Sequence, residues 1–181
     1  IMLVAGGLLV LILKNTPYES RVSTWTNRLA TYFGEEKEQN PDDVYQITQS
    51  KIAVAQGGFF GKFPGNSTQR NVLPQAYSDF IYAIILEEYG FLGGLVVMLL
   101  YMILLYRGIR LATKCDKIFG ALLGLGVSFA IVFQAVINMG IVVGLFPNTG
   151  QPLPLISMGG TSIWFTSIGI GILLSISRAN D

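Results

Sequence analysis

The chain has no histidine and a single cysteine, Cys115, so acid–base chemistry falls to carboxylates, Lys, Tyr, Arg or a bound ion. Without imidazole there is no His-ligated metal and no Ser-His-Asp triad. With one thiol there is no disulfide framework within the chain and no Cys₄ site. No side-chain metal site is therefore expected. Three carboxylates stand where they could act: Asp79, Glu87 and Glu88. Asp79 immediately precedes an apolar run that begins at Phe80. Ser78 reads as an N-cap, which places Asp79 in the first turn of a spanning helix. The helix N-terminus favours the carboxylate, and the low-dielectric mouth of a membrane cavity disfavours it. A charged but poorly hydrated carboxylate suits a general base; a simple capping carboxylate is the other reading of the same residue. Glu87 and Glu88 lie inside the run, where a charge costs about 2.5–3.5 kcal/mol on insertion scales, so such residues face a cavity or a partner. At about 100° and 1.5 Å per residue, Glu87 sits about 80° around the helix and about 12 Å along it from Asp79. Glu88 sits about 180° around. Glu87 is thus expected in a cavity or network rather than as a close acid–base partner, and Glu88 to pair with a base elsewhere.

The elements that must position these groups are membrane helices. Of 181 residues, 51% are hydrophobic and only 13% charged, with 21 glycines and a mean hydropathy of +0.54. A soluble domain carries about 25% charged residues. The fold expected is an all-α polytopic membrane protein of about four spans. Residues 1–13 are apolar but shorter than the about 20 residues a span needs, so they read as a truncated first span of a longer protein. Residues 80–106, 118–146 and 155–177 are the other three, each long enough to cross about 30 Å of hydrocarbon. The 107–117 connection holds Arg107, Arg110, Lys114 and Lys117 against Asp116. Positive-inside counting puts it and the 178–181 tail in the cytoplasm. The 14–79 loop and a re-entrant 147–154 loop then lie on the outer side. A net charge of +1 leaves no footprint for nucleic acid.

The 66-residue outer loop is too long to be a simple connector. Val22, Trp25, Leu29 and Phe33 fall on one helical face flanked by Arg21 and Arg28, as in an interfacial helix, or one packed on the protein's own loop. Asp42 or Asp43 can cap a second helix, Val44 to Gln56, stopped by Gly57-Gly58. Gly57, Gly58, Gly61 and Gly65 alternate with Phe59, Phe60 and Phe63; such a loop either lies against a lipid-linked substrate or turns tightly to return the chain to the membrane. The uncharged, proline-rich stretch from Phe146 to Pro154 is non-helical backbone at membrane depth, which must be buried in protein or line a wet cavity. Gly120/Gly124 and Gly140/Gly144 read as internal packing sites.

The order of motifs is specific. Tyr45-Gln46-x-Thr48-Gln49-Ser50 precedes Gly57-Gly58-x-x-Gly61 and Gly65-Asn66-Ser67-x-Gln69. Leu73-Pro74, Ser78-Asp79-Phe80-Ile81 and Glu87-Glu88-x-Gly90 follow, and Pro152-Leu153-Pro154-Leu155-Ile156-Ser157-x-Gly159-Gly160 comes last. This series resembles the C-terminal part of the SEDS (shape, elongation, division and sporulation) family. Gly65-Asn66-Ser67 and Phe133-Gln134-Ala135-x-x-Asn138 look more like its FtsW-like division branch than its elongation branch.

The resemblance implies a peptidoglycan glycosyltransferase of the bacterial cytoplasmic (inner) membrane. It would polymerise lipid II through β-1,4 bonds on the outer side, with undecaprenyl pyrophosphate leaving. The family's essential aspartate matches Asp79, which would be the catalytic base. Substrate contacts are expected from Lys51, Lys62, Gly65, Asn66, Ser67, Gln69, Arg70, Glu87, Pro152, Pro154, Ser157, Gly159 and Gly160. The leaving pyrophosphate needs positive charge, supplied by basic side chains or by a divalent cation, Mg or Mn. The implied partners are lipid II, a class B penicillin-binding protein (a transpeptidase), other divisome membrane proteins and membrane lipid. Gln75 and Tyr77 stand where many members have Glu and His, and Met158 replaces a common Tyr, so Asp79 as sole base is the simplest mechanism. A lipid II flippase or a non-catalytic division scaffold would also use intramembrane carboxylates or helix faces of this kind.

Overall fold

The computed structural model describes residues 41–73 and 76–179. The expected span 1–13 and the stripe of Val22, Trp25, Leu29 and Phe33 lie outside the described residues. The chain divides into two compact units, Ile1–Tyr45 and Gln46–Asp181, and the site lies within the second. The described residues are all-α: α1 (Pro41–Gly57), a 3₁₀ turn (Gln69–Asn71), α2 (Ile81–Lys114), α3 (Ile118–Val142) and α4 (Gly160–Ala179). α2, α3 and α4 are each long and apolar enough to cross a membrane. α3 packs mainly on α2 and less on α4.

The apolar runs and the helices differ at their ends. α2 outlasts its apolar run and carries Arg107, Arg110 and Lys114 on its last turns, leaving only Cys115 to Lys117 as the connection to α3. Continuing the helix keeps the backbone paired while long basic side chains can leave the hydrocarbon. α3 stops at Val142 because Gly144 adopts φ 82. There the Leu145 amide donates to the Gly140 carbonyl at 2.8 Å and the Gly144 amide to Ile141 at 3.0 Å, a glycine-capped Schellman end. Leu155 to Gly159 are irregular, and α4 begins only at Gly160.

The N-cap expectation for Ser78 is corrected. α2 starts at Ile81 with Phe80 before it and no side-chain cap, so Asp79 precedes the helix. The reason lies in the carbonyls. A helix through Ser78 and Asp79 would need their oxygens for its own ladder, but Ser157 takes that of Ser78 and Asn138 that of Asp79. The first helical acceptor is Phe80, bonded by the amides of Ala83 and Ile84.

Two of the suspected glycine contacts are internal. A Cβ on Gly124 would touch Leu111, Leu173 and Ile176 at 3.7–3.8 Å, and one on Gly140 would strike the Phe146 ring at 2.5 Å. The core gathers Phe80, Ala83, Leu86, Tyr101, Val132, Ala135, Val142 and Leu153, all nearly inaccessible.

Candidate functional site

α2 is interrupted one turn after Glu87. Gly90 adopts φ 67, ψ −166, so the bond that Phe91 would donate to Glu87 is not made. The glycine-rich loop replaces it. The Lys62 amide donates to the Glu87 carbonyl at 2.9 Å, Phe91 donates to Gly58 at 3.0 Å and Leu92 to Phe59 at 3.4 Å. The Glu87 carbonyl and the Phe91 and Leu92 amides freed by the break thereby regain partners, as buried backbone demands. Backbone lies directly on backbone here. A Cβ on Gly57 would sit 1.9 Å from the Leu86 carbonyl oxygen, one on Gly61 2.2 Å from that of Glu88, and one on Gly90 2.4 Å from the Gly61 nitrogen. Gly57 and Gly61 thus seat the loop directly against the α2 backbone.

The break places the Glu87 carboxylate under the loop, where its side chain is fully buried. Five donors converge on it. Oε1 accepts from Lys62 Nζ at 3.0 Å, Thr68 Oγ1 at 2.8 Å and the Thr68 amide at 3.1 Å. Oε2 accepts from Ser67 Oγ at 2.5 Å and the Gln69 amide at 3.2 Å. Lys62–Glu87 is the only ion pair among the described residues. Lys62, Ser67 and Gln69 are thus drawn together around Glu87. Gly65 (φ 86) and Asn66 instead form the exposed turn above it, closed by the Asn66 amide on Phe63 and by Asn66 Nδ2 on the Lys62 carbonyl at 3.0 Å. Pro64 then Gly65 at its centre is the pairing a type II turn requires.

A second constellation holds Asp79. Asn138 on α3, 1% exposed, donates from one Nδ2 to the Asp79 carbonyl at 2.9 Å and to Gln151 at 2.7 Å. Ser157 Oγ donates to the Ser78 carbonyl at 2.5 Å and accepts from the Leu153 amide at 2.7 Å. The Met158 amide donates to Tyr77 at 2.8 Å. The 151–158 segment is itself tied to the helices: Gln134 bonds Pro152 at 3.1 Å and the Tyr101 hydroxyl bonds the carbonyl of Pro154. The Asp79 turn is therefore fixed through its backbone by α3 and by the proline-rich segment, and these bonds do not engage its side chain. That carboxylate is half-buried. Among the described residues it accepts one hydrogen bond, from Ser78 Oγ at 2.7 Å.

The candidate cations are placed differently. Lys62 is committed to Glu87. Lys51 lies along Gly144, its Cε 3.2 Å from where a Cβ would stand. Arg70 has its Nε on the Tyr77 hydroxyl and its guanidinium over the Tyr77 ring at 5.3 Å, two residues from Asp79. Its amide also donates to Ser67 Oγ at 3.1 Å, which links the two constellations. Pro152 and Pro154 are part of the clamp. A Cβ on Gly159 would meet Ser162 at 3.3 Å and Pro152 at 3.6 Å, and Gly160 opens α4 against open space. No three carboxylates or thiols gather into a metal site among the described residues. The roles of Asn138, Gln134, Tyr101 and Tyr77 were missed from sequence; the polar interruptions at 134 and 138 of an otherwise apolar helix were the available signal.

Residues 1–181 match the cell cycle protein family FTSW_RODA_SPOVE. Stage V sporulation protein E of Bacillus subtilis (strain 168) is 44% identical over 135 residues, covering 74% of this chain and 37% of that protein. A probable peptidoglycan glycosyltransferase FtsW of Coxiella burnetii is 35% identical over 100% of this chain and 48% of its own. Among solved structures, a chain from a peptidoglycan synthase complex that couples polymerization and crosslinking superposes with a TM-score of 0.70 at 25% identity. That match covers 99% of this chain and 49% of the other. The chain thus spans less than half the length of these relatives. With the family matched from first residue to last, this chain belongs to the FtsW, RodA and SpoVE family of multi-pass membrane proteins.

Proposed function

We propose that this protein polymerises lipid II, with Asp79 as the general base, on the outer side of the bacterial cytoplasmic membrane and in cell division. The observation that carries the reading is the contrast between the two buried-edge carboxylates. Glu87 is saturated by five donors, whereas Asp79 is rigidly held by its backbone and bonded at its carboxylate by Ser78 alone. A base must be positioned yet able to accept a proton, and only Asp79 meets both conditions. Its carboxylate takes the proton of the acceptor sugar's 4-hydroxyl. The freed oxygen attacks the anomeric carbon of the donor, a β-1,4 bond forms, and the bond to the lipid-linked pyrophosphate breaks.

Arg70 is the cation best placed to receive the leaving pyrophosphate, since its contact with Tyr77 keeps it beside the Asp79 turn and no carboxylate among the described residues pairs with it. A guanidinium offers a planar fork matched to phosphate oxygens. Among the described residues Asp79 is the one carboxylate offered to a divalent cation beside this turn, so Mg or Mn there would be held mainly by substrate oxygens and water. The relatives named as probable peptidoglycan glycosyltransferases, and the solved synthase complex, support both the reaction and a class B penicillin-binding protein as partner. A flippase would want Glu87 accessible along a path; its saturation argues against that use.

The test is lipid II polymerisation by the full-length protein with its transpeptidase partner, wild type against Asp79→Ala and Asp79→Asn. Polymer from wild type and none from either variant, with complexes intact, is the expected result. Equal polymer from all three removes Asp79 as the base, and lipid II crossing sealed vesicles without polymer would install the flippase reading.

A further inference from the structure

The far end of α2 carries a feature that the reaction does not use. An apolar cleft of about 330 Å³ runs between α2 and α4, lined by Leu100, Ile103, Leu104, Leu173 and Leu174 among others. Beside it lies a cavity of about 650 Å³ lined by Arg107, Arg110 and Lys114 together with Ile103, Tyr106 and Leu111. Arg107, Leu111 and Ser177 border both spaces, so the greasy cleft and the basic mouth adjoin. Residues 107, 110 and 114 fall within about 60° of one another around the helix, so the three cations share a face. None is in an ion pair among the described residues.

We infer that this cleft binds one anionic phospholipid, an acyl chain between α2 and α4 and the phosphate against Arg107, Arg110 and Lys114. Basic residues at the end of a span satisfy topology and the helix dipole without binding anything. Three features go further here. The cations converge on a cavity rather than projecting singly. That cavity adjoins apolar space. The dimensions also fit a lipid: from Leu100 to Leu111 the helix rises about 16 Å, close to half of the about 30 Å hydrocarbon core, the depth of one leaflet. Charge selects an anion, and juxtamembrane Lys and Arg residues favour anionic over neutral lipid. The cleft excludes a free phosphate as the natural occupant, because its walls would stay empty.

The experiment uses the full-length protein, delipidated in a neutral detergent and titrated with phosphatidylglycerol, phosphatidylcholine or glycerol 3-phosphate under native mass spectrometry. Wild type should retain one phosphatidylglycerol with at least a tenfold preference over phosphatidylcholine, and glycerol 3-phosphate should not compete. The Arg107→Gln/Arg110→Gln/Lys114→Gln variant should lose the preference. Leu174→Trp, which fills the cleft from an exposed position and leaves every charge in place, should weaken both lipids. Equal retention of the two lipids by wild type, undiminished preference in the charge variant, full binding by Leu174→Trp, or competition by glycerol 3-phosphate would each overturn the inference.

Discussion

Replacing Glu87 by glutamine should loosen the loop that carries Arg70 without touching Asp79. The carboxylate accepts three donors on Oε1 and two on Oε2. Glutamine keeps a carbonyl at one position and puts an NH₂ at the other. With the carbonyl at Oε1, the Ser67 hydroxyl can rotate to accept, but the Gln69 amide is left facing a donor. An unsatisfied buried donor costs about 1–3 kcal/mol. Lys62 also loses its counter-charge, a loss softened because its side chain is 31% exposed and can turn to water. The expected total is about 3 kcal/mol, at the low end for breaking a buried pair from one side. Lys62→Met should cost less, about 1 kcal/mol, because four donors remain on the carboxylate. Thermal unfolding of the full-length protein in nanodiscs reads the effect. Glu87→Gln should lower Tm by a few degrees, the shift per kcal/mol shrinking as the chain lengthens, and raise amide exchange in residues 62–70. Two results would refute the reasoning: a Tm within 2 °C of wild type with unchanged exchange, or a larger loss for Lys62→Met than for Glu87→Gln. The second would place the energy in the ion pair rather than in the hydrogen bonds.

Gly90→Ala should cost more than an ordinary helix substitution. Its φ of 67 and the 2.4–2.5 Å approach of Gly61 and Phe59 backbone allow no relaxation through side chains, so about 2 kcal/mol or more is expected, read as faster proteolysis across residues 58–66. Asn138→Leu removes both bonds from its amide while keeping similar bulk; polymerisation should fall about 10-fold in kcat with little change in KM, because it moves the base and not the substrate. Ser157→Ala should act the same way and more weakly, about 3–5-fold, since it frees one carbonyl and one amide of the same turn. Arg70→Gln should raise KM and lower kcat in the polymerisation assay, whereas Tyr77→Phe, which keeps the ring under the guanidinium, should retain most activity.

Much of the architecture was written in hydropathy. Spans announce themselves because lipid forces long apolar runs, and α2, α3 and α4 fall on the expected ones. The misreadings share a cause. Charge ends an apolar run but not a helix, so α2 continues through Arg107 to Lys114. A Ser-Asp pair before a span looks like a cap, but only when the local carbonyls are free to enter the ladder. At Ser78 and Asp79 they are bound by residues 59 and 79 positions away in sequence, a fact no local pattern carries. The same holds at Gly90, where sequence shows a glycine in a helix and the structure shows a break sealed by a loop 30 residues earlier.

These long-range bonds also explain why one carboxylate of the pair can be reactive. A polar side chain near lipid must be satisfied, and the direct solution, donors on the carboxylate, is the one adopted for Glu87, whose two oxygens are taken up by five donors. Asp79 is restrained by another route. Its anchors, Asn138 and Ser157, grip main-chain oxygens of residues 78 and 79, so the constraint acts on position and not on the carboxylate. Restraint through the backbone is how a protein can fix a general base without quenching it. A single exchange tests the logic: Asn138→Asp puts an acceptor where the Asp79 carbonyl needs a donor, and adds a second charge near the base. Polymerisation should fall further than in Asn138→Leu, and lowering the pH enough to protonate the new carboxylate should recover part of the difference. Equal activity of the two variants at every pH would mean that the backbone anchor does not govern the base.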